Sequence, residues 1–157
     1  MNYYSKIADG YNELHSEEQV KKVKRIIKEL NIGRESVLDV GCGTAFYSNL
    51  FYNYTGLDSS KGMLRKSKGK IFFGTAEKLP FVDNSFDVVI CVTAIHNFND
   101  PKKAIEELKR VGRNKFAISV LKKSRRFKFI RNLIHKNLSV REVEEDKDII
   151  FIQTGKT

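Results

Sequence analysis

The chain's 157 residues are enough for one compact domain and not comfortably enough for two. With 41% hydrophobic and 31% charged residues it is too rich in apolar side chains for a disordered polypeptide, and runs such as Val88-Val89-Ile90-Cys91-Val92 are too short to span a bilayer. The net charge is +10, from 29 basic and 19 acidic residues, and the only cysteines, Cys42 and Cys91, exclude a disulfide framework or a four-cysteine zinc site.

The N-terminal Met1-Asn2-Tyr3-Tyr4-Ser5-Lys6 has no apolar stretch of signal-peptide length, so a reduced, cytoplasmic, single-domain protein (1–157) is expected. An amphipathic helix is predicted from about Ser16 to Leu30. Val20, Val23, Ile26, Ile27 and Leu30 form its apolar stripe, and Lys21, Lys22, Lys24, Arg25 and Lys28 fill the other face. Ser16 and Gln19 read as a capping box, and Ile32-Gly33 ends the helix. Strands and helices then alternate: a strand at 36–40, a helical piece around 46–51, a strand at 54–57 ending at Asp58, a short helix at 60–68 and a strand at 70–73. Beyond a loop follow the most apolar strand (86–92), a helix (101–111), a strand (115–121) and a basic helix (124–137). Two last strands, 139–143 and 149–154, flank the polar turn Glu144 to Asp148. Such alternation predicts a mostly parallel sheet covered on both faces, and the closing hairpin must be antiparallel because its turn is too short for a parallel crossover.

The charge is unevenly placed. Between Leu108 and Arg141 there is no Asp or Glu but twelve Lys and Arg, which account for the whole excess, since the rest of the chain holds 17 basic and 19 acidic residues. This block is either the footprint of a polyanion or a solvated lysine-rich surface.

The first strand runs into Asp39-Val40-Gly41-Cys42-Gly43-Thr44-Ala45. Two glycines one residue apart allow a sharp turn and close approach of a ligand to the backbone, and an acidic residue, Asp58, ends the next strand where it can accept hydrogen bonds from both ribose hydroxyls of a nucleoside. A dinucleotide site would need a third glycine at position 46, which is Phe46, and Asp39 would repel a pyrophosphate while suiting an ammonium or sulfonium group. The site is therefore expected to take a cationic, phosphate-free nucleoside such as S-adenosylmethionine. A nicotinamide-dependent oxidoreductase is disfavoured, and a non-catalytic nucleoside-binding module is the other alternative.

These motifs resemble those of class I S-adenosylmethionine-dependent methyltransferases, in the ubiquinone-biosynthesis-like branch. Val37 to Thr44 is similar to the family's first motif and Tyr54 to Ser60, then Met63, to its ribose-binding motif. Gly74 to Phe81 with Asn84-Ser85-Phe86-Asp87 resembles the adenine loop and fourth strand, and Tyr4 to Tyr11 the N-terminal segment whose aromatic residue closes over the cofactor. The resemblance implies a Rossmann-like α/β fold with a seven-stranded sheet of order 3-2-1-4-5-7-6, strand 7 antiparallel, a core over 32–157 and an N-terminal segment (1–31) covering the cofactor. The cofactor-binding set it implies is Tyr11, Asp39, Gly41, Cys42, Gly43, Asp58, Ser59, Met63, Ala76, Glu77 and Val92. Met63 could instead be ordinary core and Glu77 a surface charge. Ala45 departs from the family, which often has Gly there, and the change reads as mild.

On the acceptor side, Thr93 to Pro101 lacks the Asn/Asp-Pro-Pro-aromatic signature of many enzymes that methylate exocyclic nitrogens. His96, with a near-neutral intrinsic pKa, either removes an acceptor proton or packs the loop. No spacing suggests a metal site, and in-line methyl transfer needs none. Phe86 to Asn97 also resembles wobble-uridine tRNA carboxymethyl methyltransferases, which rely on a small zinc-binding activator protein. The expectation is therefore a methyltransferase acting on tRNA or another translation component, with such a partner and with Lys122, Lys123, Arg125, Arg126 and Lys128 on the RNA. The alternative is a small-molecule, quinone-like or other metabolite methyltransferase.

Overall fold

The computed structural model describes residues 3–65 and 70–155, with side chains described for 14–63 and 70–155. A long helix α1 (Tyr3–Leu30) leads into β1 (Ser36–Val40), a 3-10 turn (Ser48–Leu50), β2 (Asn53–Asp58), α2 (Lys61–Arg65) and β3 (Lys70–Phe73). Then come β4 (Phe86–Val92), a second 3-10 turn (Ile95–Asn97), α3 (Pro101–Val111), β5 (Gly112–Leu121), α4 (Phe127–Asn137), β6 (Arg141–Glu145) and β7 (Asp148–Gln153). The strands form one sheet in the order β3-β2-β1-β4-β5-β7-β6. The first five are parallel, and β7 runs antiparallel to both β5 and β6. This is the Rossmann-like arrangement expected.

Alternation along β4 explains how the sheet is sandwiched. Val88, Ile90 and Val92 pack with Val23, Ile26 and Leu30 of α1, whereas Val89 and Cys91 face Ala104, Ile105 and Leu108 of α3 and Ile130 and Ile134 of α4. Each Val or Ile so buried contributes about 1.5–3 kcal/mol, which is why a central parallel strand reads as a continuous apolar run. Helix α3 begins with Asp100 accepting the Lys103 N–H at 3.1 Å and with Pro101 in its first turn. It passes into β5 without a loop, and Gly112 at the junction lies over Phe116, where a Cβ would meet the ring at 2.5 Å. Gly112 pairs with Phe86 of β4, so β5 starts there and not at the Lys115 expected.

Several local expectations are corrected. Helix α1 starts at Tyr3, so Ser16 lies inside it and no capping box forms; Gln19 contacts His15 instead, Nε2 to Nε2 at 3.4 Å. Lys22 does not belong to the polar face. It occupies the apolar stripe, four residues before Ile26, and is only 6% exposed. The helical piece at 46–51 shrinks to the 3-10 turn, because Tyr47 is drawn inward to a hydrogen bond and Phe51 packs on Tyr54. Part of the helix expected at 60–68 falls outside the described residues. Helix α4 starts at Phe127, later than the Ser124 expected. The closing turn is tighter than expected, so that Asp148 opens β7 and is 1% exposed.

Candidate active site

Parallel strands place their carboxyl ends on one edge, and there a cavity of about 1150 Å³ opens above β1, β2 and β4. Its floor is the turn after β1. Gly41 (φ 80) and Gly43 (φ 60) both occupy the left-handed region. A Cβ on Gly41 would strike the Ala94 Cβ at 2.7 Å, whereas one on Gly43 would meet nothing within 4 Å. Gly41 is thus needed for packing, and Gly43 leaves open space against the backbone. Ala45 is also left-handed (φ 53) and fully buried, a position where its methyl costs about 1 kcal/mol relative to Gly.

Asp58, at the end of β2, accepts the Gly43 N–H on Oδ2 at 2.8 Å and the Ser60 N–H on Oδ1 at 2.9 Å. A carboxylate offers about four acceptor positions, so two remain for hydroxyl donors of a ligand. Cys42, Gly43, Asp58, Ser59, Met63, Ala76, Glu77 and Val92 all line the cavity with Gly41. Met63 is 46% exposed and so is not core. Glu77 accepts the Asp100 N–H at 3.1 Å, tying the loop after β3 to the start of α3. Tyr11 falls within α1, but its side chain lies outside the described residues.

Asp39 lies behind the turn and its side chain does not line the cavity. It is completely buried, and its Oδ2 accepts the hydroxyls of Tyr47 and Tyr54, both at 2.6 Å. Burial pushes its pKa up to about 6, against the pull of the two tyrosines. Desolvation likewise raises the thiols of Cys42 and of Cys91, both buried and free, well above the usual range.

The segment expected on the acceptor side follows β4. His96, in the second 3-10 turn, lines the cavity. Burial, reinforced by the nearby Arg126 charge and opposed by Asp148, lowers its pKa from 6.5, so the imidazole is neutral at pH 7 and able to accept a proton. Thr93 holds a left-handed backbone (φ 50) that is unusual for a β-branched residue. Its hydroxyl accepts from Lys22 Nζ at 2.9 Å and donates to Asp148 Oδ2 at 2.7 Å. Sequence reasoning missed Lys22, Thr93 and Asp148. The one available signal was a lysine at an apolar-stripe position of α1.

The basic block is acid-free in sequence but not in space. Arg110, Arg113, Lys115, Lys122, Arg131 and Arg141 pair with Glu107 and Asp83, Asp87, Glu35, Glu144, Glu142 and Glu29 respectively. Arg126 donates to the carbonyls of His96 (3.3 Å) and Phe98 (2.7 Å), clamping the 3-10 turn after β4. Of the five residues expected on RNA, Lys122 and Arg126 are therefore engaged within the protein, and Lys123, Arg125 and Lys128 are the exposed ones.

Residues 38–116, about half of the chain, match the family model described as a methyltransferase domain, and the chain belongs to that family. A demethylmenaquinone methyltransferase of Thermotoga maritima is 32% identical over 139 residues, which cover 77% of this chain and 60% of that protein. Among solved structures, a putative S-adenosyl-L-methionine-dependent methyltransferase from Methanococcus maripaludis superposes with a TM-score of 0.79 at 17% identity, covering 97% of this chain and 92% of the other. A chain in the complex between the Haloferax volcanii Trm112 methyltransferase activator and the putative methyltransferase gives 0.74 at 15% identity, covering 96% of each. The chain spans about half the length, 45 to 60%, of the first curated relatives it matches. Among the described residues no helix is long and apolar enough to cross a membrane.

Proposed function

We propose that the protein is a methyltransferase using S-adenosylmethionine and releasing S-adenosylhomocysteine. The observation that carries this reading is the Gly41-Cys42-Gly43 turn hydrogen-bonded to Asp58 at the carboxyl edge of the sheet. When bound, the cofactor supplies an electrophilic methyl group on a sulfonium. Gly41 and Gly43 open the backbone to the methionine part, Asp58 and Ser59 hold the ribose, and Met63, Ala76 and Glu77 flank the adenine. Val92 and Cys42 wall the sulfonium, and Tyr11 with the rest of 1–31 covers it. Asp39 acts from behind the turn, adding negative potential beneath a positive ligand. His96 receives the acceptor's proton. We read residues 1–157 as one domain working in the cytoplasm, where two free thiols suit the reducing conditions.

The acceptor is a small molecule. Six carboxylates line the cavity (Glu18, Asp58, Glu77, Glu145, Asp146 and Asp148) against two lysines, Lys22 and Lys147, which disfavours a polyanion there. Several curated relatives named demethylmenaquinone methyltransferase support a metabolite acceptor. The second reading, tRNA methylation with a small zinc-binding activator, is favoured by the exposed Lys123, Arg125 and Lys128 and by the likeness to the Trm112 complex. Calorimetry with S-adenosylhomocysteine and NAD tests the cofactor: micromolar binding of the first alone, about −8 kcal/mol, is expected. Labelled methyl transfer into cell fractions, with tRNA, protein, lipid and small metabolites then separated, tests the acceptor. Label in tRNA alone would reverse the order of the two readings.

A further inference from the structure

Within the cavity, α1 and the β6–β7 hairpin meet the segment after β4, which also packs against Gly41. Gln19, Lys22, Thr93, His96 and Asp148 share that wall. Asp148 is 1% exposed: its Oδ2 takes Lys22 Nζ at 3.2 Å and the Thr93 hydroxyl at 2.7 Å, while Oδ1 is buried with no partner. Gln19 is 8% exposed, and its Oε1 is likewise buried and unpartnered. So is His96 Nδ1. Of the four buried side-chain polar atoms left without a partner among the described residues, three therefore belong to residues that line one cavity. Native proteins seldom leave such atoms unmatched without a reason.

The chemistry of the three is one-sided. Two are acceptors only, and a ring nitrogen of a neutral imidazole can be a third. Lys22 does not serve them: its ammonium is directed to Asp148 Oδ2 and Thr93 Oγ1, and none of the three atoms receives its remaining hydrogen. A carboxylate or phosphate brought here would face acceptors in an acid-lined cavity. A hydroxyl has one hydrogen to offer, whereas an amine has two and an ammonium three.

We infer that this wall is the acceptor subsite and that it recognises a small amine, whose N–H groups are taken by Asp148 Oδ1, Gln19 Oε1 and His96 Nδ1. The inference rests on the methyltransferase reading for the word acceptor, and on the cavity wall alone for the chemistry of the ligand.

The test uses three probes with one skeleton: phenethylamine, 2-phenylethanol and phenylacetate. Each is titrated into the full chain, alone and saturated with S-adenosylhomocysteine, and followed by ligand-observed NMR. The amine is expected to bind at least tenfold more tightly than the alcohol, and the acid not to bind. Asp148→Asn is expected to weaken the amine at least tenfold and Gln19→Met at least threefold, with S-adenosylhomocysteine affinity unchanged. Because Asp148 also holds Lys22 and Thr93, Gln19→Met decides if thermal melting shows that Asp148→Asn has unfolded. An amine that binds no better than the alcohol in either form, or a preference untouched by the folded variants, overturns the subsite and leaves ordered water as the partner of these atoms. Amine preference in a chain that does not bind S-adenosylhomocysteine sustains the subsite and overturns the methyltransferase reading.

Discussion

The Asp58 carboxylate accepts the Gly43 N–H at 2.8 Å, so the acidic end of β2 and the glycine turn after β1 are one hydrogen-bonded unit. Asp58→Ala should therefore weaken S-adenosylhomocysteine by about 1.5–3 kcal/mol, the scale of hydrogen bonds to a charged group, and also loosen the turn. Asp58→Asn retains an acceptor for Gly43 and should keep more of the fold's stability than of the affinity. Calorimetry and thermal melting on the two variants separate these effects; equal affinity in wild type and Asp58→Ala would remove Asp58 from the ribose.

Asp39 gives a pH signature. Its pKa in the fold, about 6, lies above its ordinary 3.8, so folding favours the protonated carboxyl. The associated stability is fully present below pH 3.8 and is lost as pH rises through about 6, a change of about 3 kcal/mol. Asp39→Asn is neutral at every pH and can still accept from both tyrosines. It should lack this decline and be the more stable protein at pH 8. Denaturant melts of both proteins from pH 4 to 8 measure it; parallel curves would show that the carboxylate is not desolvated.

His96 should set the acidic limb of the turnover profile. With its pKa lowered by burial, turnover should rise with pH through a midpoint below 6.5 and then level off. His96→Ala should lose that limb and about 10²-fold in turnover, with cofactor affinity nearly unchanged. A variant with normal turnover would assign His96 to packing the loop.

The exposed cations make a separate prediction. Replacing Lys123, Arg125 and Lys128 together with Ala should flatten the salt dependence of any polyanion binding by up to about three contacts, each worth roughly 0.7–0.9 in the log–log slope. Lys122→Ala should not, because its ammonium is on Glu144 at 2.7 Å and on the Asp146 carbonyl at 2.9 Å. Filter binding of tRNA across a salt series distinguishes them; equal slopes in all three proteins would make this surface only a solvated face.

Much of the frame was legible because its signals are local. The apolar run of β4 and the glycine turn before Phe46 each fall within a few residues. What was not legible depends on partners far along the chain. Nothing near Lys22 foretells Asp148, and the basic block looks uncompensated because, Glu107 of α3 apart, its carboxylates come from α1, β4, β6 and the loops before β1 and β4. Helix α1 was read short for a related reason: Ser16 and Gln19 match a start signal, yet nothing before them forces the helix to begin there.

The two buried thiols make the protein its own reporter of opening. The thiolate is the form that attacks an alkylating agent, and burial disfavours it at both Cys42 and Cys91. Cys91, in the central strand, becomes reactive only when the sheet itself comes apart. Cys42, in the cavity wall, needs only a local excursion of the glycine turn, which a bound nucleoside would suppress. The ratio of the two alkylation rates, read by peptide mass in a single sample, thus separates ligand protection at the turn from stabilisation of the whole fold, with no dye, tag or added tryptophan.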